Sequence, residues 1–210
     1  KTFFDFFAGT TNVSRFYKSK GYQIISSDIL YLSYCLQKAY VENNDEPTFS
    51  KLLPSLDTSK SSKLLSRPLD NVVDYLNSIP YIKGYIYKNY TPGGTANLSR
   101  QRTYFIDENG GKIDAIRTKI EDWKLAGLID DSEYYILLTC LIETIGFYSN
   151  VAGVYAAFQK SWDPRALKPL KLRTIDIINN NLENKAYCTD SMNLIQDIDV
   201  DILYLDPPYN

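Results

Sequence analysis

Asp201-Ile202-Leu203-Tyr204-Leu205-Asp206-Pro207-Pro208-Tyr209-Asn210 is the stretch on which the reading of the chain turns. Residues 202–205 form an apolar run short enough for a buried strand of a parallel sheet. The run stops at a carboxylate and two prolines. Proline gives no N–H to a ladder and fixes φ, so the strand must end there on a stiff turn. An acid, a rigid backbone carbonyl and a tyrosine ring are therefore expected at the carboxyl edge of a sheet, where open α/β folds hold their ligands.

Upstream, residues 186–188 predict a short strand ending near Asp190, and 191–196 a short helix. The other strands lie at the far end of the chain. Phe3-Phe4-Asp5-Phe6-Phe7 predicts a strand, and Ala8-Gly9-Thr10-Thr11-Asn12 a tight turn from which Thr10, Thr11 or Asn12 caps a helix over 13–20. Gly21 closes that helix, and 22–27 is a second strand ending in Asp28. The result is a β-turn-α-β unit with an acid 19 residues after its glycine. Such a unit suits a nucleoside cofactor: backbone N–H groups and the helix start meet its polar end, and the carboxylate takes the ribose hydroxyls. One glycine in place of G-x-G-x-x-G is a poor pyrophosphate cradle, which favours a cofactor without phosphates over a dinucleotide. Taken alone, the unit is equally a plain sheet–helix–sheet with an exposed Asp28.

Between these ends lies an interruption too long for a crossover, so a substrate lobe is expected there. Residues 30–41 read as a helix, 43–66 as a loop, 68–78 as a short helix, 113–123 as a helix and 133–148 as a longer one. The longer helix has an apolar face made by Tyr134, Leu137, Leu138, Leu141, Ile142 and Ile145, with Glu143 solvated. Residues 81–111 mix aromatics, bases and flexible turns, a composition that fits phosphate contact and base stacking or a polar loop without a partner. The division expected is a sheet domain from 1–42 and 174–210, with 43–173 as an inserted region.

With 44% apolar and 23% charged residues the chain is an ordinary globular protein, and no apolar run approaches a transmembrane span. A cytoplasmic setting is expected. The net charge of −2 hides an asymmetry: residues 51–124 hold 12 Lys/Arg against 8 Asp/Glu, and Lys160, Arg165, Lys168, Lys171 and Arg173 stand against Asp163 alone. A basic face is one reading and a solvated surface the other. Cys35, Cys140 and Cys188 read as buried free thiols. With no His and no Cys cluster, no metal site is expected, and nucleophilic catalysis through Ser-His or Cys-His pairs is excluded for this stretch.

Asp28, Asp190 and Asp206 all fall at or just past strand ends, which one parallel sheet would gather at one edge. Asp28 can hold a ribose and Asp190 can accept from an exocyclic amine of an adenine. Asp206 and the Pro207 carbonyl offer two fixed acceptors for an aromatic amine stacked on Tyr209, an arrangement suited to methyl transfer onto nitrogen. An amine in a base pair is inaccessible, so the target base would be flipped out of the duplex.

On these residues the sequence resembles the D12 class of adenine-N6 DNA methyltransferases that use S-adenosylmethionine. Phe4-Asp5-Phe6-Phe7-Ala8-Gly9-Thr10 is similar to their cofactor motif and Asp206-Pro207-Pro208-Tyr209 to their catalytic motif. Arg102-Thr103-Tyr104-Phe105, Asn109-Gly110-Gly111-Lys112-Ile113-Asp114-Ala115-Ile116-Arg117, Asn150-Val151-Ala152-Gly153-Val154-Tyr155 and Phe158-Gln159-Lys160-Ser161-Trp162-Asp163-Pro164-Arg165-Ala166 also resemble the class. The resemblance implies a doubly wound, Rossmann-like α/β sheet with a mainly helical and loop recognition region inserted. It implies cofactor contacts from Asp5, Phe7, Ala8, Gly9, Asp28, Ile29 and Asp190, and a target adenine held by Asp206, Pro207 and Tyr209, with Pro208 shaping the turn. Thr10-Thr11 departs from the glycine-rich turn common there. Segments before Lys1 and after Asn210 are expected to be missing, so activity is not expected of this stretch alone. Double-stranded DNA is the expected partner, with Arg100, Arg102, Lys112, Arg117, Lys160 and Arg165 as candidates to touch it, and a cognate restriction endonuclease as a possible associate. The alternatives are methylation of cytosine N4 or of RNA, a DNA-binding protein of the same fold without turnover, and a nucleotide-dependent oxidoreductase.

Overall fold

The computed structural model describes residues 1–56, 67–151, 153, 158–196 and 198–207. They divide into two compact units, Lys1–Pro47 with Asp131–Thr139 and Ile175–Asn210, and Thr48–Asp130 with Cys140–Thr174. Residues 43–47, 131–139 and 174 thus fall on the other side of the boundaries expected from the sequence.

The first unit is built on a four-stranded parallel sheet in the order β3-β2-β1-β4. The strands are β1 Thr2–Asp5, β2 Gln23–Asp28, β3 Lys185–Cys188 and β4 Ile202–Tyr204. The fold class is therefore the α/β class expected. The inner strand β1 is buried from Phe3 to Asp5, as a strand covered on both faces must be. Phe3, Ile24 and Val41 form a core cluster against which Val13, Tyr17, Ile202 and Tyr204 pack, and the Phe3 and Tyr17 rings stack at 4.1 Å.

Helix α1, Asn12–Ser19, buries polar residues on the sheet side: Ser14 and Lys18, one turn apart, are its buried positions. The Lys18 ammonium donates to the carbonyls of Tyr40 (3.2 Å) and Asn43 (2.5 Å), at the end of the next helix. That helix is α2, Tyr31–Gln37, followed by one π-helical turn, Lys38–Glu42, in place of the single helix expected over 30–41. The wider turn carries Glu42, whose carboxylate accepts the Ala186 N–H of β3 at 3.2 Å.

Burial pulls the Lys18 pKa down to about 8 from 10.5. Between those values the unfolded chain holds a proton that the folded chain has released, so stability rises with pH across this window. The rise is expected to reach about 3 kcal/mol. Urea denaturation from pH 7 to 10.5 should show it in the native sequence and not in Lys18→Met.

Cys35 and Cys140 are buried free thiols, as expected. Cys188 corrects that expectation: it is exposed, because β3 is an edge strand and Cys188 stands at its carboxyl end. Its thiol lies 3.9 Å from the Ile29 carbonyl.

The second unit contains α3 Pro68–Ser78, α4 Tyr85–Tyr90, α5 Asp107–Leu125 and part of α6 Asp131–Tyr148, which runs through the division between the units. In α3 the buried residues are Leu69, Val72, Val73 and Leu76, the spacing of one helical stripe, with Pro68 at the first turn. Residues 136–141 of α6 are buried without a break, so this part of the helix is covered all round and not only on the expected face.

Helix α4 falls where the sequence predicts a turn-rich loop, and α5 starts six residues earlier than the expected Ile113. The cause is tertiary. The Asp114 carboxylate of α5 accepts the N–H groups of Ile86 and Tyr87, both at 2.8 Å, and so caps α4 from a distance. Glycines allow the approach: a Cβ at Gly110 would stand 2.3 Å from Thr91 Cγ2, and one at Gly94 1.9 Å from the Tyr87 carbonyl oxygen. Among the described residues no helix is long and apolar enough to cross a membrane.

Candidate functional site

The chain runs from β1 outward to β2 and β3, then returns to place β4 on the other side of β1. The carboxyl ends of β1 and β4 therefore flank the topological switch point, where open α/β sheets bind ligands. Because all strand pairs are parallel, the residues at and just past the carboxyl ends of β1 (Asp5 to Gly9), β2 (Asp28, Ile29), β3 (Asp190) and β4 (Asp206, Pro207) share one edge.

After Asp5 the backbone stays tied to both neighbours. The Phe6 N–H donates to the Tyr204 carbonyl (3.2 Å) and the Ala8 N–H to the Ser27 carbonyl (3.0 Å). The chain then turns into α1 through two left-handed residues, Gly9 (φ 49°) and Thr11 (φ 64°). Gly9 fits that conformation freely, whereas Thr11 is held in it by complete burial and by a hydroxyl bond to the Thr10 carbonyl at 2.6 Å. Thr11 is the N-cap residue of α1 but makes no side-chain cap, in contrast to the expectation from its type.

Asp5 is 1% exposed. One carboxylate oxygen accepts from the Ser14 hydroxyl at 2.6 Å, and the other, Oδ1, is buried with no hydrogen-bond partner among the described residues. Burial, together with the negative charges of Asp28 and Asp206, raises its pKa against the opposing Ser14 bond. A buried acceptor left open in this way suits a donor, above all a cationic one, brought by a ligand.

Asp28 uses both oxygens on the backbone around it, accepting the Gly9 N–H at 2.8 Å and the Leu30 N–H at 2.9 Å. It thereby ties the glycine turn to the end of β2. The remaining lone pairs can still accept from hydroxyls. Asp190 is exposed and accepts the Met192 N–H at 3.0 Å, starting the 3-10 turn Ser191–Asn193. Ala8 is buried, while Phe7 and Ile29 are 37% and 72% exposed and leave apolar surface beside these acids.

Across β1, Asp206 and Pro207 are exposed at the end of β4. The Tyr204 phenol, pushed up in pKa by burial and by the Asp206 charge, donates to the Asp206 carboxylate at 3.3 Å. Pro208 and Tyr209 lie outside the described residues.

A family model for D12 class N6 adenine-specific DNA methyltransferases matches residues 1–210. The chain belongs to this family. It is 42% identical to the Type II methyltransferase M.FokI of Planomicrobium okeanokoites over 99% of its own length and 30% of that protein's. It is 39% identical to the modification methylase StsI of Streptococcus sanguinis, over all of this chain and 30% of that protein. To the Type II methyltransferase M.NlaIII of Neisseria lactamica it is 39% identical over its whole length, which is 56% of that protein's. The chain thus spans about a third to about half of these relatives. No solved structure gives a significant match.

In this D12 methyltransferase chain the six cations expected at DNA are used in different ways. Lys112 is half-buried and donates to the Asn77 (2.8 Å) and Ile79 (2.5 Å) carbonyls at the end of α3, a structural use that accounts for its charge. Arg117 pairs with Glu121 one turn along α5, and Arg165 chelates Asp163 with a closest approach of 2.7 Å. Arg100 lies over the Phe158 ring at 5.4 Å, Arg102 donates to the Asn89 carbonyl at 3.0 Å, and Lys160 is exposed.

Three residues that hold the sheet edge escaped sequence reading: Ser14 on Asp5, Tyr204 on Asp206, and Ser191, whose hydroxyl donates to the Phe6 carbonyl at 2.5 Å. Tyr204 stands two residues before Asp206, where its apolar setting gave no sign of a hydrogen-bonding role, whereas only the strand order brings Ser191 to Phe6.

Proposed function

We propose that the protein carrying this chain transfers a methyl group from S-adenosylmethionine to the N6 amine of adenine in duplex DNA. The observation that carries the proposal is the shared carboxyl edge: an open buried acceptor on Asp5 at the end of β1 and an exposed Asp206-Pro207 pair at the end of β4 flank one switch point. The residues fit this cofactor. Asp5 Oδ1 would accept from its ammonium group, Asp28 from the ribose hydroxyls, and Asp190 from the adenine amine, with Phe7, Ala8, Gly9 and Ile29 against its apolar surfaces. The cofactor supplies an electrophilic methyl: the amine nitrogen's lone pair forms the new N–C bond while the S–C pair stays on sulfur.

Asp206 and the Pro207 carbonyl accept the two N–H groups of the target amine and turn its lone pair out of conjugation. Tyr209 stacks on the target ring. Asp206 need not be a strong base, because the methylated ammonium is acidic enough to lose its proton once formed. Positioning and charge placement carry most of the catalysis.

A modification role beside a cognate restriction endonuclease, in the cytoplasm, is the setting proposed, in keeping with relatives named as Type II methyltransferases and a modification methylase. The test is transfer of labelled methyl from S-adenosylmethionine by the full-length protein to duplex DNA, RNA and protein in parallel. Label on duplex DNA supports the proposal, and label confined to RNA or protein refutes it.

Asp5 supplies a second test. A carboxylate whose pKa is raised on folding stabilises less as pH climbs from the unfolded value of 3.8 through the folded one. Asp5→Asn keeps the acceptor for Ser14 and removes the buried charge. It is expected to be more stable than the native sequence at pH 7 in urea denaturation, yet to bind S-adenosylmethionine about 10- to 100-fold more weakly in calorimetry, the worth of a charged hydrogen bond.

A further inference from the structure

The second unit carries a row of rings and cations that the chemistry at the sheet edge does not use. Tyr85 and Tyr90, at the two ends of α4, stand 6.1 Å apart by ring centroid; Tyr104 follows at 5.4 Å and Phe158 at 5.0 Å. The Arg100 guanidinium closes the row over Phe158. Tyr85 is 68% exposed, and the next three rings are half-buried, each keeping part of its surface in solvent.

The row is ordered by buried polar groups rather than by a core. Asn150 is fully buried and donates its amide to the Thr103 (3.0 Å) and Gln159 (3.1 Å) carbonyls, while its oxygen accepts the Asp163 N–H at 2.9 Å. Its backbone N–H donates to the Tyr104 carbonyl at 2.8 Å. One side chain thus clamps the segment bearing Arg100, Arg102 and Tyr104 to the one bearing Phe158. At the other end Asp114 holds α4 and its two tyrosines. Arg102 is tied to the Asn89 carbonyl inside the same helix.

The acids packed against the row are already engaged: Asp107 accepts the Gly93 N–H, Asp114 those of Ile86 and Tyr87, and Asp163 pairs with Arg165. Residues 83–104 contain Lys83, Lys88, Arg100 and Arg102 and no Asp or Glu. Exposed π-faces interleaved with cations, with the neighbouring carboxylates engaged by backbone N–H groups or by Arg165, suit a polyanion that also offers flat apolar faces, which is the chemistry of nucleic acid.

We infer that the row Tyr85-Tyr90-Tyr104-Phe158, with Arg100 and Arg102, is a preformed surface that stacks on base faces of a locally opened DNA duplex while the arginines meet its backbone. This rests on the DNA methyltransferase reading above and adds to it the residues that grip the substrate. Tyr85, the most exposed ring, would make the largest stacking contact.

The test uses the full-length protein with Tyr85→Ala, Tyr85→Phe and Arg100→Ala, measuring duplex affinity at several salt concentrations, S-adenosylmethionine affinity, and methyl transfer. Tyr85→Ala is expected to weaken duplex binding about 10- to 100-fold, the range of one lost base–ring stack, and Tyr85→Phe to restore it. Arg100→Ala should flatten the salt dependence by about one phosphate contact. Cofactor affinity should be unchanged in all three. Wild-type duplex affinity in Tyr85→Ala, with native protein that still methylates DNA, overturns the stacking surface and leaves the catalytic proposal standing. Tighter binding of single-stranded RNA than of duplex DNA overturns the choice of partner. Failure of the native protein to methylate DNA at all would sink the reading beneath it.

Discussion

Asp206→Ala is expected to lower methyl transfer to duplex DNA by at least about 10²- to 10³-fold, the loss associated with removing one group that stabilises developing charge. Asp206 lies two residues past the end of β4, is exposed, and receives a hydrogen bond from Tyr204, whose ring packs in the sheet core against Phe3 at 6.1 Å. Gly9 and Leu30, which shape the β1 turn and the end of β2, are held by Asp28. S-adenosylmethionine affinity should therefore stay within about threefold of the native value, well under the 1.4 kcal/mol of a tenfold change. A variant that lost cofactor binding and transfer together would place Asp206 in the cofactor site instead. Single-turnover kinetics with saturating cofactor separates the two.

Asp114→Ala is expected to destabilise the second unit by about 3–5 kcal/mol. Asp114 is 7% exposed and satisfies two backbone donors that begin α4. Removing it leaves the Ile86 and Tyr87 N–H groups without that acceptor, each loss being of a hydrogen bond to a charged group, about 1.5–3 kcal/mol. At about 2–4 °C per kcal/mol for a chain of this size, the melting transition should fall by roughly 10 °C. Asp114→Asn keeps one good acceptor and should show a smaller fall. Loss of duplex binding with cofactor affinity intact would identify the damage as local to the unit that carries the aromatic row.

The strand–turn–helix–strand unit and the terminal strand were legible in the sequence because their signals are local: apolar runs, Gly9 and Gly21 at turns, Pro207 and Pro208 as a stop. The strand order puts Asp28, Asp190 and Asp206 at one edge of the parallel sheet, together with Asp5, which strand ends alone had not grouped with them. Signals that cross the chain were not legible. Helix α4 has no capping residue of its own, since its acceptor is Asp114, 28 residues after Ile86. The first turns of α5 include Asn109-Gly110-Gly111, weak helix formers, and form because only glycine admits the chain that packs on them.

Charge was the least readable property. Lys112 was expected at DNA and donates to the carbonyls at the end of α3; Lys18, which carried no sequence signal of burial, is buried. A lysine's partners are set by the fold rather than by its neighbours in sequence. Cys188 misled for a related reason, since whether β3 is an edge or an inner strand is a matter of topology.

The central claim is that the acid at the end of β4 serves methylation of an adenine amine. Nucleoside analysis of duplex DNA treated with the full-length protein and S-adenosylmethionine tests it most directly. N6-methyldeoxyadenosine is expected with the native protein and none above background with Asp206→Ala. N4-methyldeoxycytidine in its place, or N6-methyldeoxyadenosine formed equally by the variant, would contradict it.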